Sequence, residues 1–292
     1  MKRRQEIELL RVLSAFGIVW YHTATVGRDI AYSGLIAFLI ISMYFSARAG
    51  GSSKTMLERA RTLLVPWGIW FLFYGFLNLL NHRPYLQLDH GIVAGLLAGT
   101  SIHLWYLPFI FLVIIFFDRV KEHINEQTLS YVCIFLAAAI LVLHRFWRDQ
   151  SLAFNYPYAQ YAHALDGVLI GVFFANCSAL PRALRAAFIS IVLAAIFIFA
   201  LPVPGVGIPY LIGIAVAAVT LLPKWELDFD FDINWISECT LGIYLSHIFW
   251  LKAIKKMADI NDLVLPFLVF AVSALTVWAF KKTAPNLAKY AV

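Results

Sequence analysis

Residues 8–22 place a carboxylate, a guanidinium and an imidazole inside one apolar stretch, Glu8-Leu9-Leu10-Arg11-Val12-Leu13-Ser14-Ala15-Phe16-Gly17-Ile18-Val19-Trp20-Tyr21-His22. A helix turns about 100° per residue, so the step from Arg11 to His22 is roughly three turns and puts both on one face. Glu8 falls within roughly 40° of His22 by the same geometry. Such groups are costly in a membrane helix, and they usually face a bundle interior or a wet cavity and carry function. An imidazole titrates near neutrality and can take a proton from a hydroxyl, which makes His22 the candidate general base. Glu8 lies roughly 21 Å of helical rise from His22, so the two form no dyad within one helix. Glu8 pairs more naturally with Arg11, three residues on. The alternative is structural: Glu8 and Arg11 anchor a helix end and His22 is a satisfied interior histidine.

Three further groupings carry possible chemistry. In Glu58-Arg59-Ala60-Arg61-Thr62-Leu63-Leu64-Val65-Pro66-Trp67 two arginines stand at the mouth of an apolar helix. They are either an ordinary positive flank or a phosphate clamp, since guanidinium forks suit phosphate oxygens. In His103-Leu104-Trp105-Tyr106-Leu107-Pro108 spacing alone favours an interfacial aromatic belt, with His103 facing an external substrate as the alternative. In Ser237-Glu238-Cys239-Thr240-Leu241-Gly242-Ile243-Tyr244-Leu245-Ser246-His247, residues Thr240, Tyr244 and His247 share a helix face. Small and hydroxyl residues there also suit simple helix packing. Asp166 is a further candidate near one end of an apolar segment. The histidines are isolated along the chain, and no metal motif or phosphate-binding glycine loop is present. Cys133, Cys177 and Cys239 have neither disulfide nor metal spacing.

The elements that must position these residues are apolar helices. Of 292 residues, 62% are hydrophobic and 14% charged, a balance no ordinary soluble domain has. Runs of about 20 apolar residues can each span a bilayer. They are apolar on all sides, which excludes an alternating outer-membrane barrel. The sequence predicts an all-α membrane bundle of ten spans within one domain, residues 1–292. The spans are 7–27, 30–49, 63–81, 104–118, 129–146, 161–178, 184–202, 204–222, 235–254 and 261–280. Residues 91–103 are a candidate partial or re-entrant segment. Glu8 and Arg11 interrupt the first apolar run, and no small-residue cleavage site stands out, so the first helix reads as retained. With the N-terminus inside, the inner loops collect most of the 23 Lys and Arg, which predicts cytoplasmic termini. Lys252, Lys255 and Lys256 run against that pattern, because they fall outside. The net charge of +6 is spread over short loops with no dense basic block, so a nucleic-acid partner is not expected.

Four of these elements resemble one family. The run Glu8-x-Leu10-Arg11 with His22, the arginine-rich segment ending Leu63-Leu64-Val65-Pro66-Trp67, His103-Leu104-Trp105-Tyr106 and Leu241-Gly242-Ile243-Tyr244-Leu245-Ser246-His247 are similar, in order, to motifs of the acyltransferase family 3 membrane proteins. Three departures stand out. The second span ends Ile41-Ser42-Met43-Tyr44-Phe45-Ser46-Ala47 without the expected glycine after the serine. The first acid is Glu8 where Asp is usual, and Arg59-Ala60-Arg61 replaces an Arg-x-x-Arg spacing. The resemblance implies a ten-helix enzyme that moves an acyl group, most often acetyl, onto a carbohydrate. The implied co-substrate is acyl-coenzyme A, with no tightly bound cofactor and no metal. The implied acceptor is a surface glycan or its lipid-linked precursor, handled in the cell membrane. On this reading His22, Arg11 and Glu8 are catalytic, and Arg59 and Arg61 bind the donor. His103, Trp105, Tyr244 and His247 support the site or the acceptor. A transporter of a glycan or small solute is the runner-up, since intramembrane charge suits it too, although no inverted repeat is visible.

Overall fold

The computed structural model describes residues 4–48, 55–144, 146, 150, 153–222 and 232–292. Six of the Lys and Arg residues counted for topology lie outside these: Lys2, Arg3, Lys54, Arg145, Arg148 and Lys224. The described residues are helical and contain no strand. Ten longer helices are named here α1 (Gln5–Thr23), α2 (Ser33–Arg48), α3 (Met56–Leu80), α4 (Tyr106–Lys121), α5 (Glu126–Val142), α6 (Tyr158–Asn176), α7 (Arg182–Ala195), α8 (Gly207–Leu221), α9 (Thr240–Met257) and α10 (Leu265–Thr283). Each overlies one of the predicted apolar runs. Five helical stretches among the described residues are long and apolar enough to cross a membrane: Arg28–Arg48, Met56–Leu80, Tyr158–Ala179, Arg182–Ala200 and Leu265–Thr283. The 91–103 region is a short helix, Ile92–Ala98, followed by a turn. The Asn78 amide donates to the Thr100 carbonyl at 2.9 Å, and the Thr100 hydroxyl to the Phe71 carbonyl at 2.6 Å, which ties this turn to α3.

Local chemistry explains where the helices begin and bend. Thr55 caps α3 with a reciprocal box: its hydroxyl accepts from the Glu58 N–H, and Glu58 accepts from the Thr55 N–H at 2.7 Å. Asn125 caps α5 by accepting from the Thr128 N–H at 2.8 Å. At its end α7 loosens into a single π turn, Ile196–Ala200, before the proline-bearing turn at Pro202 and Pro204.

The core is built around α2, which packs on α1, α6 and α8. Small residues make this approach possible, as is usual for helices in lipid. A Cβ at Gly17 would lie 2.7 Å from the Ala31 carbonyl, and one at Gly34 would lie 2.6 Å from the Ser14 carbonyl. α1 and α2 therefore meet backbone to backbone. Successive helices run in opposite directions, and cross-links fix two ends. At the end carrying the N-terminus, Arg4 donates to the Thr220 carbonyl at 2.9 Å, and the Ser237 hydroxyl reaches Glu8. At the opposite end, Lys255 of α9 donates to the Thr23 carbonyl of α1 at 3.3 Å. These are called below the N-terminal end and the far end.

Candidate active site

His22, one residue before the end of α1, is brought together with His103 and His247 at the far end. His22 and His247 have ring centroids 5.1 Å apart, His103 and His247 4.9 Å, and His22 and His103 6.4 Å. Sequence spacing made these histidines look isolated, and the structure corrects that. They come from α1, from the turn before α4 and from α9, which only the fold joins. Among the described residues no group of three His, Cys, Asp or Glu side chains is placed to hold a metal ion.

Hydrogen bonds to carbonyls fix two of the three tautomers, since a carbonyl can only accept. The His247 Nδ1 donates to the Tyr244 carbonyl at 2.6 Å. In the neutral ring Nε2 then carries the lone pair, and that atom is buried with no hydrogen-bond partner among the described residues. His103 Nε2 donates to the Leu245 carbonyl at 3.2 Å, which leaves Nδ1 to accept from the Ser101 hydroxyl, also at 3.2 Å. His103 thus has both nitrogens committed and acts as a fixed wall. A buried tyrosine on α3 holds α9 at the same level. The Tyr74 hydroxyl donates to the Leu245 carbonyl at 2.8 Å and accepts from the Phe249 N–H at 3.1 Å. A side chain bridging one turn of backbone in this way is a recognised cause of local helix distortion. Tyr244 donates to the His103 carbonyl and so closes a ring of contacts between α9 and the start of α4.

His22 and His103 line a cavity of about 430 Å³, within the range typical of small-molecule sites. His247 lies behind them, fully buried. Trp105, Tyr21, Tyr32, Tyr156 and Tyr244 supply aromatic walls. The Tyr156 hydroxyl donates to the Ile102 carbonyl at 2.5 Å, and burial raises this phenol above its usual pKa, so it stays protonated. The aromatic-belt reading of residues 103–106 is overturned. His103, Trp105 and Tyr106 are all buried, because the turn Thr100–Trp105 folds inward over α3 and α9. The packing reading of Tyr244 and His247 is incomplete for a similar reason: both pack, and both also stand at the cavity wall or directly behind it.

Glu8 and Arg11 are not part of this group. They sit at the N-terminal end of α1, roughly 16 Å or more of helical rise from His22. Arg11 pairs with Glu8 at 3.3 Å, and the Ser237 hydroxyl donates to the same carboxylate oxygen. Arg59 and Arg61 are also separated from one another. Arg59 turns inward, pairs with Asp118 at 2.8 Å and donates to the Ser46 hydroxyl at 3.2 Å, whereas Arg61 is exposed. Their two-residue spacing sets them about 200° apart on α3, which is why they do not converge. Asp166 is buried on α6, has an Oδ1 with no hydrogen-bond partner and does not line the cavity.

Sequence reasoning passed over Arg28, Gln160 and Lys252, which also line the cavity. The signal for Lys252 was its position on the wrong side of an otherwise consistent charge pattern. A family model described as an acyltransferase domain matches residues 4–280. The chain belongs to acyltransferase family 3. No curated protein and no solved structure matches the chain. The family match spans α1 through most of α10, so all three histidines fall within it. The protein is thus an acyltransferase with several apolar helices.

Proposed function

We propose that this acyltransferase moves an acyl group, most often acetyl, from acyl-coenzyme A to a hydroxyl of a carbohydrate. The observation that carries the reading is the far-end cavity, where His22 lines the wall and the unprotonated Nε2 of a buried His247 lies behind it. Transfer of this kind needs a base for the hydroxyl proton and a group that steadies the base. His22 takes the proton as the sugar oxygen attacks the thioester carbonyl. The carbon–sulfur bond breaks, and the thiolate leaves with the proton returned from His22. His247, with its ring centroid 5.1 Å from that of His22, is the neighbour that orients the base, and the aromatic walls hold the sugar.

The donor side is the N-terminal end, placed in the cytoplasm of a ten-span protein of the cell membrane. Arg61 is open to an incoming phosphate there, whereas Arg59 is held by Asp118. Glu8 and Arg11 act at this end, away from the proton transfer. The acceptor is a glycan or its lipid-linked precursor on the far side.

The test is thioester cleavage by the purified full chain in detergent, with acetyl-labelled coenzyme A and a glycan acceptor. Acceptor-dependent thiol release with label appearing in the glycan is the expected result. No cleavage above a protein-free control rejects the enzyme reading. Orientation is checked with single cysteines at His123 and Gln87, both exposed, since the native thiols are buried. Impermeant reagents should label them from opposite sides of sealed vesicles, and labelling from one side rejects the ten-span arrangement.

A further inference from the structure

Two cations face the same cavity as His22. Arg28 stands in the short helix Arg28–Ala31 directly after α1, and Lys252 projects from α9. Arg28 is positioned by an unusual turn. α1 is capped at Ala24 with φ 60°, and Gly27 follows with φ 81°. A Cβ at Gly27 would lie 3.0 Å from the Trp20 ring, so this left-handed position suits glycine on two counts. The Trp20 indole N–H donates to the Val26 carbonyl at 2.9 Å and closes the turn. The guanidinium then stacks over Tyr21, 5.0 Å from the ring centroid. Among the described residues its donor edge meets no acceptor, and the residue is exposed, so water occupies that edge until a ligand displaces it.

The charge around this cavity is one-sided. Arg28 and Lys252 line it, and no carboxylate does, among the described residues. A second cavity of about 570 Å³ adjoins it and shares Ile102, Tyr156, Gln160, Ile248 and Lys252 with the first. It adds Arg83, with Asp89 as its one carboxylate. The Gln160 Oε1 is buried without a hydrogen-bond partner, on a residue common to both cavities. The adjoining cavities therefore hold aromatic faces, an unfilled amide acceptor and two exposed cations without a carboxylate partner among the described residues, beside the candidate base.

We infer that the acceptor carries an anionic group, a carboxylate or a phosphate, bound between Arg28 and Lys252 while its sugar hydroxyl faces His22. This rests on the proposed carbohydrate acylation and names the chemistry of its acceptor. Aromatic faces and the Gln160 carbonyl take the sugar body, and the two cations take the charge. Guanidinium binds carboxylate or phosphate in a fixed geometry, and lysine adds a point charge on the other side. Two sources supply such a group: an acidic sugar, or the phosphate of a lipid-linked sugar.

The test uses three probes on the purified full chain, followed by saturation-transfer NMR and competition titration. These are methyl glucuronide, glucose 1-phosphate and the neutral methyl glucoside. At least one anionic probe should bind tighter than the glucoside by about tenfold, the scale of one charge-assisted contact. The preferred probe identifies the source: carboxylate for an acidic sugar, phosphate for a lipid-linked one. The double variant Arg28→Gln/Lys252→Gln should lose that preference, and the charge-keeping Arg28→Lys/Lys252→Arg should retain most of it. Equal binding of the neutral and charged probes, or no binding of either anion, overturns the inference. An unchanged preference in the double glutamine variant overturns it too. If that variant does not fold, the charge-keeping variant and the wild-type probe comparison still decide. Cleavage of acetyl-coenzyme A in the same preparations is scored separately. Cleavage without any charge preference sinks the anionic acceptor alone, and loss of cleavage in the wild type sinks the enzymatic reading.

Discussion

The two ends of the bundle treat charge in opposite ways. At the N-terminal end, ionic groups are matched within the protein. Arg11 meets Glu8 at 3.3 Å, Arg59 meets Asp118 at 2.8 Å, and Lys121 donates to the Ala47 carbonyl. At the far end three imidazoles crowd together, and Arg28 and Lys252 face open space. Arg28 and Lys252 are exposed, so water meets their charge until a ligand replaces it, whereas the buried His247 Nε2 and Gln160 Oε1 have no hydrogen-bond partner among the described residues and are unfavourable without one. The matched end has one exposed arginine, and the far end holds the candidate site.

The largest effect should come from His22. His22→Gln keeps the size and a hydrogen-bonding end but cannot carry a proton. Turnover at saturating donor should fall by roughly 10²–10⁴-fold, the usual share of general-base catalysis, with donor binding retained. Near-normal turnover would move the base to His247 and blur the contrast between the ends.

Asp118→Asn probes the matched end. It leaves the buried Arg59 guanidinium without its counter-charge. Loss of a fully buried partner costs about 3–5 kcal/mol. Asp118 is partly exposed, with 29% of its side chain accessible, so about 2 kcal/mol is the working figure after solvent screening. The thermal midpoint in detergent should drop by several degrees, while turnover per folded molecule changes little. A large fall in turnover at unchanged midpoint would make this pair part of the donor site.

Arg61→Ala should give the smallest effect. An exposed cation–phosphate contact is worth about 1 kcal/mol, so the donor KM should rise roughly fivefold with kcat and the thermal midpoint unchanged. An unaltered KM would leave Arg61 a topology marker and the N-terminal end purely structural.

Much of the fold was legible from the chain. Apolar runs of spanning length dictate helices, because lipid leaves backbone groups no partner outside the segment. The Glu8–Arg11 pairing was legible too, since it needs only the three-residue spacing of one helix. The candidate site was legible by residue type rather than by arrangement. His22, His103 and His247 each stood in a recognisable motif, yet nothing in their spacing brings residue 22 to residue 247. That meeting depends on α1 packing against α9 and on the Thr100–Trp105 turn folding inward, both long-range results of side-chain complementarity. For the same reason the sequence could not separate Arg59 from Arg61 by function. Both are arginines at one helix start, and only the presence of Asp118 on α4 turns one inward. Arg28 was hidden most completely, because a cation near a helix end looks the same whether it meets water or a ligand, whereas Lys252 had shown only as an anomaly in the charge pattern. Sequence by itself determined that the fold is helical with several apolar helices, five of them of spanning length among the described residues, and the contacts within one helix. Only the tertiary structure decided which polar groups, far apart in the chain, share one cavity and which of them are left without a partner.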